Sequence, residues 1–471
     1  MSQGGSERPG AACSARSTRG ERAGARARAE WGLRGAAAIA NADWYATAPL
    51  LAVLVPVLRT DVATLTLSIG GHLLGHGIAL PVWGRLVDRF GARRALRAGL
   101  VVAALALAGS ALCATVGVWI ALRTLTGAAF AVVTPVTAVH YGTAATGVAR
   151  QQAFATLVTV SSASAILAPL LIGTLDGPTV WRLVFAALAL LTAGSVWATW
   201  ALPEPALAER PVRGAGAGAV RHRRWCAVAA VGALEGATLL ALPALLAPAL
   251  TGAGVGGGQS AVVVAYGIGV FVSSLWLRHH VRLWAARSLL GLGGVCVVGA
   301  SLVGGQRVSL TTLIPAAVLL GVAWSYLHTT LQAWLPRLLP EEARGTAASV
   351  FATSGMLSGA LSVALAAPLL TRGMSTEVFT AGAVAGVLLT VGVLPLPRRC
   401  QDRCPERSPL PRPASGSWAA ATAWRGAKAP PRRGADLRPA PPVETARRPL
   451  GTADRTPQRL AETPSKFADA K

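Results

Sequence analysis

The chain has 471 residues, 53% of them hydrophobic and only 14% charged, with a formal net charge of +24. Soluble chains carry about 25% charged residues, so the composition excludes an ordinary soluble globular protein of this length. Nor does the positive charge outline a nucleic-acid footprint. It gathers in two polar ends, with seven arginines against three glutamates in residues 1–34 and sixteen Lys and Arg against seven Asp and Glu in residues 397–471, and in short links between apolar runs.

Residues 1–34 are rich in Gly, Ala, Ser and Arg, have little to bury, and lack the apolar core of a cleavable signal. They are expected to form a disordered cytoplasmic tail. Apolar runs then recur, each long enough to cross a bilayer as a helix. The first six lie at about Gly35 to Leu58, 63–83, 98–116, 117–139, 152–174 and 181–202, and make up one bundle over 35–202. Between the second and third runs stands Gly84-Arg-Leu-Val-Asp-Arg-Phe-Gly-Ala-Arg-Arg94, read as a short charged turn whose two glycines allow close helix approach. Residues 203–224, bearing Pro, Gly and five arginines, are the longest internal link and the boundary between two halves. The second half covers 225–396, with runs at about 225–249, 260–277, 287–304, 309–331, 346–370 and 376–396. From 397 to 471 the composition changes: thirteen of the chain's thirty prolines are there, and such a segment cannot offset the entropy of ordering itself. It reads as a disordered, basic, Pro-rich cytoplasmic tail without a nucleic-acid partner.

Twelve spans put both termini on one side. Links 84–97, 140–151, 203–224, 278–287 and 332–345 hold sixteen arginines, and the opposite connections hold only Arg59, Arg182, Arg307 and Arg372. This bias orients both termini to the cytoplasm of a multi-pass cell-membrane protein, taken as a bacterial inner membrane. The halves also look related. A shift of 192 residues sets Asp43 on Glu235 and Pro56 on Pro248, and brings the basic link 84–97 onto 276–289.

Charge inside a membrane span is costly and marks function. Asp43 in span one, Arg123 in span four and Glu235 in span seven each lie within an apolar run. Desolvation favours the protonated form of a buried carboxyl and a nearby arginine opposes it, so a movable contact of Arg123 with Asp43 or Glu235 would serve as a proton switch. Trp44 and Tyr45 in span one and Trp324, Tyr326 and His328 in span ten are candidates to line a substrate cavity. His72 and His76 share one face of span two, as cavity or packing residues, since no third ligand completes a metal site. The six cysteines complete neither a disulfide framework nor a zinc spacing.

Gly84, Leu86, Asp88, Arg89, Gly91 and Arg93 match the loop G-x-L-x-D-R-x-G-R-R between spans two and three of the major facilitator superfamily. Ala92 departs from it and Arg94 restores the charge. The resemblance covers about residues 35–396 and implies a gating role for the loop, in which the anion at Asp88 meets the N-terminal end of span eleven, near Gly345 and Thr346, in the outward-facing state. Leu122-Arg123 with Gly127 resembles the fourth-span motif, whose arginine is implicated in proton transfer. Ala168-Pro169-Leu-Leu-Ile-Gly173 partly resembles the antiporter motif G-P-x-x-G-G, with a helix-five kink at Pro169 and close packing at Gly173.

The expected architecture is an all-α membrane protein with twelve transmembrane helices in two pseudo-symmetric six-helix bundles, the major facilitator fold. Neither an ATP-binding G-x-x-x-x-G-K-[ST] loop nor a nucleophile elbow is present, so the reading is no enzyme and no cofactor or metal, with a proton gradient as the energy source. The expected activity resembles that of the drug:proton antiporters: proton-coupled export of a small organic compound by a carrier, monomeric in the lipid bilayer. The alternatives are a proton-coupled uptake carrier for a metabolite and a non-transporting sensor or scaffold acting through its tail.

Overall fold

The computed structural model describes residues 10–395 apart from 145–146, 176, 200–221, 281–283, 336–338 and 341–342, with side chains undescribed at 10–29, 141–144, 147–156, 158, 278–280 and 333. The expected linker 203–224 therefore lies outside the described residues except for its last three, and the tail 397–471 lies outside them entirely.

Every regular element described is helical. The first half contains α1 (Gly10–Val57), α2 (Val62–Phe90), α3 (Ala92–Leu112), α4 (Val116–Phe130), α5 (Val133–Ala144), α6 (Gly147–Gly173) and α7 (Val180–Ala198). The second contains α8 (His222–Glu235), α9 (Ala241–Gly252), α10 (Gln259–His280), α11 (Ala286–Gly304), α12 (Leu310–Ala323), α13 (Thr329–Trp334), α14 (Arg344–Thr371) and α15 (Ser375–Val393). Among the described residues, eleven stretches are long and apolar enough to cross a membrane. A shorter apolar stretch, Thr159–Gly173, lies within the 27-residue α6 and takes the fifth place in the order. Span four is α4 plus α5, joined by a turn at Ala131 and Val132.

Three local features differ from expectation. First, α1 extends back to Gly10, where a disordered tail to residue 34 was expected. Its Ala, Arg and Glu residues are strong helix formers, and a helix continuing out of a span needs no fresh nucleus. Second, the link 84–94 is mostly helix. Val87 is buried against the core and keeps α2 helical to Phe90. The chain then reverses at Gly91, with φ 88° and ψ 152°, where only glycine is comfortable, and its N–H closes the last turn on the Val87 carbonyl. A Cβ at Gly84 would meet nothing within 4 Å, so close approach is not its role here. Third, spans seven and ten each contain one wide π turn, Gly236–Leu240 and Trp324–His328. Such turns leave carbonyls without regular partners and recur at functional sites. Hydroxyls take up the slack: Thr238 donates to the Leu234 carbonyl at 2.8 Å, and Thr329 donates to that of Ser325.

The halves meet along two helix pairs, α2 with α14 and α6 with α10. Small residues permit both contacts. A Cβ on Gly77 would stand 2.9 Å from Met356, one on Gly173 would stand 2.9 Å from Ser260, and one on Gly267 would stand 3.0 Å from the Ala165 carbonyl. Toward the other end of the α2–α14 pair, neither Gly84 nor Gly345 has an atom within 4 Å of a Cβ.

Candidate functional site

A cavity of about 210 Å³ lies between the halves. Asn41, Trp44 and Tyr45 of α1 and His72 and His76 of α2 form one wall; Leu240, Pro243, Tyr266 of α10, Trp324 and Met356 of α14 face them. Among the described residues, no Asp, Glu, Lys or Arg lines it. The two in-span acids, Asp43 and Glu235, are not among its lining residues. Instead each is turned into its own bundle and bonded to a base there.

Asp43 and Arg123 are both fully buried and bonded at 2.5 Å, Oδ1 to Nη1. The other guanidinium arm, Nη2, donates to Ser110 of α3 and Thr126 of α4, each at 3.0 Å. Thr126 stands three residues beyond Arg123, the spacing that stacks side chains on one helix face. Aromatics complete the enclosure: the guanidinium carbon lies 4.5 Å from the ring centre of Phe185 and 5.3 Å from that of Trp119. Trp119 in turn meets Trp181 and Phe185 edge to face. Such stacking favours a desolvated cation. His72 Nδ1 is 3.7 Å from the second Asp43 oxygen, outside hydrogen-bond range, and its ring sits edge-on to Trp44 on the cavity side.

The second half repeats the arrangement with different chemistry. Glu235, 3% exposed, ends α8 just before the first π turn, and its Oε1 is 2.5 Å from His328 Nδ1, the last residue of the second π turn. Gly355 of α14 lies over the carboxylate, close enough that a Cβ there would stand 3.0 Å from Oε2. A Cβ on Gly236 would collide with the Gly355 carbonyl, so these helices touch backbone to backbone. Ser325 fastens the π turn to α10 by hydrogen bonds with Ser273 at 2.8 Å and Ser274 at 2.9 Å. The 192-residue shift thus relates two acids that share a context: each sits on the first span of its half and is paired with a base on the fourth.

The other expected site residues divide. Trp44, Tyr45 and Trp324 line the cavity. Tyr326 does not; two residues beyond Trp324 on the helix, it points the other way and packs on Trp276, ring centres 6.0 Å apart. His328 lies behind Trp324, stacked at 4.0 Å, and bonds Glu235. Asp88, Arg89 and Arg94 are exposed at the junction of α2 and α3, with Arg93 half-buried. Pro169 is buried inside α6, and Gly173 ends that helix against Ser260 of α10. Arg123 meets Asp43, while Glu235 pairs with His328, so no contact of Arg123 with Glu235 is formed. Reading from sequence missed Ser110, Tyr266 and Met356. A lone hydroxyl in an otherwise apolar run was the available signal for Ser110; Tyr266 and Met356 carry none beyond their place in a span.

Residues 35–363 match the family model of the Major Facilitator Superfamily. The chain belongs to the major facilitator superfamily. Among solved structures, this facilitator is similar to the nucleoside transporter NupG (D323A mutant; 15% identity, TM-score 0.62, covering 78% of this chain and 99% of that one). It is similar to the human organic anion transporter MFSD10 (16%, 0.61, 78% and 99%). It is also similar to the E. coli xylose transporter XylE in an inward-open conformation (12%, 0.60, 76% and 94%). No curated protein sequence matches it. At these identities the structures establish the fold, and the family establishes a multi-pass membrane transporter.

Proposed function

We propose that this facilitator is a proton-coupled carrier that exports a small organic compound by alternating access. The observation that carries the reading is a pair of acid–base contacts, Asp43–Arg123 and Glu235–His328, buried beside a cavity between two bundles of membrane helices. Charge at that depth is costly unless used, and protonating a carboxyl breaks its ion pair, so a proton gradient can be turned into a change of packing. The partial antiporter motif at Pro169 and Gly173 supports export. With both termini cytoplasmic, as the arginine distribution supports, the close approaches of Gly70 to Ala360 of α14 and of Gly173 and Gly267 between α6 and α10 lie in the outer half, which corresponds to an inward-facing state. In that reading Asp88 meets the start of α14 only after the cycle turns outward. The carrier works as a monomer in the cell membrane with no partner beyond lipid and cargo.

A second reading, uptake of a metabolite, is favoured by one specific observation. Among the described residues the cavity lining carries no Asp, Glu, Lys or Arg and offers aromatic faces with Asn, Tyr and His groups, which suits an uncharged solute. The similar solved transporters carry different cargoes, a nucleoside, an organic anion and xylose. Everted membrane vesicles containing the full chain, challenged with a compound panel with and without a collapsed pH gradient, measure the direction. Gradient-dependent accumulation inside everted vesicles supports export. Gradient-driven loss supports uptake, and indifference to the gradient overturns proton coupling.

A further inference from the structure

The two buried pairs are equivalent by position and unequal in chemistry. Arginine remains protonated throughout the range in which proteins function, whereas histidine changes charge near neutrality. Arg123 is fully buried, bonded to Asp43, Ser110 and Thr126 and enclosed by Trp119 and Phe185. No part of it reaches the cavity lining. The other pair has a way out. Exposure rises from Glu235 at 3% to His328 at 20%, and then to Gln332, which is exposed one turn further along span ten.

We propose that the exchangeable proton of this carrier resides on the Glu235–His328 pair and enters through Nε2 of His328 from the Gln332 end of span ten, while Asp43–Arg123 remains a closed ion pair throughout. The inference rests on the proton-coupled reading above and assigns the proton within it.

The hydrogen bonds define the step. Gln332 Nε2 lies 2.8 Å from His328 Nε2, so the amide donates to that ring nitrogen and the neutral imidazole carries its hydrogen on Nδ1, facing the Glu235 carboxylate at 2.5 Å. When a proton binds Nε2 from solution, the Nδ1 proton can pass to Glu235 Oε1. One N–H bond forms, one breaks and one O–H bond forms, and the ring ends neutral with its hydrogen on Nε2. A half-turn of the Gln332 amide presents its oxygen to that hydrogen, so the same side chain serves both forms. Both π turns bear on this pair: one begins directly after Glu235 and the other ends on His328. Loading the proton therefore acts where spans seven and ten are least regular, and where Gly236 of span seven touches Gly355 of span eleven.

The surroundings supply no competing charge among the described residues. α10 presents Tyr266, within electrostatic reach of Glu235. α14 presents Gly355 with Ser354 and Ser358, and α11 presents Cys296 toward Tyr326 on the far side. On α8 the charged residues Arg223 and Arg224 stand at the opposite end, and the one acid of α15, Glu377, is in its first turn. At the other pair, Asp43 faces His72 as well as Arg123.

The test is proton uptake by the purified full chain in lipid nanodiscs, without cargo, on acidification from about pH 8 to about pH 5, where histidine titrates. His328→Gln should take up about one proton per chain fewer than the unaltered protein. Asp43→Asn should take up as many as the unaltered protein. A second measurement uses the unaltered protein: a component of tryptophan fluorescence, assigned to Trp324 by its loss in Trp324→Phe, should titrate with the imidazole stacked on it and vanish in a monodisperse His328→Gln sample. Uptake unchanged in His328→Gln, or one proton lost in Asp43→Asn, overturns the proposal. Because no transport is measured, failure of the carrier reading would show separately, as vesicle flux indifferent to the gradient.

Discussion

Replacing Arg123 with Leu tests whether the Asp43–Arg123 contact holds the first bundle together. The substitution removes the cation bonded to Asp43 at 2.5 Å and leaves a fully buried carboxylate with no base in hydrogen-bond range, since His72 is 3.7 Å away. Removing one partner of a buried ion pair costs about 3–5 kcal/mol, most of it from stranding the other charge. Losing the guanidinium's contacts with Ser110, Thr126, Phe185 and Trp119 adds to this, while protonation of Asp43 relieves part of it. Asp43→Asn should cost somewhat less, because the stranded guanidinium keeps its hydroxyls and aromatic rings. Reversible unfolding of the full chain in mixed micelles supplies the free energies. The double variant should be less destabilised than the sum of the single ones, by about 0.5–3 kcal/mol, as residues in contact behave. Single variants within about 0.5 kcal/mol of the parent, with additive effects, would refute the reasoning.

The remaining predictions concern gating, packing and capping. If the proposed gating role of Asp88 at the start of α14 holds, Asp88→Asn should leave membrane insertion intact and reduce transport; normal flux in that variant removes Asp88 from the mechanism. Gly236→Val should disrupt the contact of span seven with span eleven, since even a methyl group collides with the Gly355 carbonyl, and a melting temperature within a degree or so of the parent would count against that contact. Asp61 caps α2 through hydrogen bonds from the backbone N–H and hydroxyl of Thr64 at 2.8 and 2.6 Å, and Asp61→Ala should cost about 0.5–2 kcal/mol. The hydroxyl bond first, then the backbone bonds, hold this carboxyl below the ordinary value of 3.8. Its contribution is therefore complete above that value and fades as pH falls through the lower folded one, so parent and variant should converge in stability only in strong acid.

Much of the fold was legible because lipid imposes a coarse code. A span must be apolar for its full length, its ends gather arginine on one side, and a repeat leaves landmarks at a fixed shift. Asp43, Arg123 and Glu235 stood out because polar atoms in hydrocarbon need a reason, and all three prove to be buried and paired. What could not be read was direction around a helix axis. Trp324, Tyr326 and His328 were named together as cavity candidates, yet neighbours two apart on a helix point about opposite ways: Tyr326 meets Trp276, and His328, stacked behind Trp324, bonds Glu235. For the same reason Arg123 was offered as a partner to either Asp43 or Glu235, and His328 to neither: partners across a bundle depend on which face each helix turns inward, and nearly uniform apolar composition blurs that face. The link at Gly84 was misjudged because charge density was taken to end the helix, while the burial of Val87 decides that it continues.

Proton movement during transport tests the central claim most directly. The purified full chain would be reconstituted into liposomes enclosing a pH indicator, with no gradient imposed, and presented with compounds that altered flux in the vesicle panel. The account predicts a change in internal pH that starts with cargo addition, opposes cargo movement in direction, and disappears in Glu235→Gln. Cargo crossing the bilayer with no accompanying proton flux would contradict it.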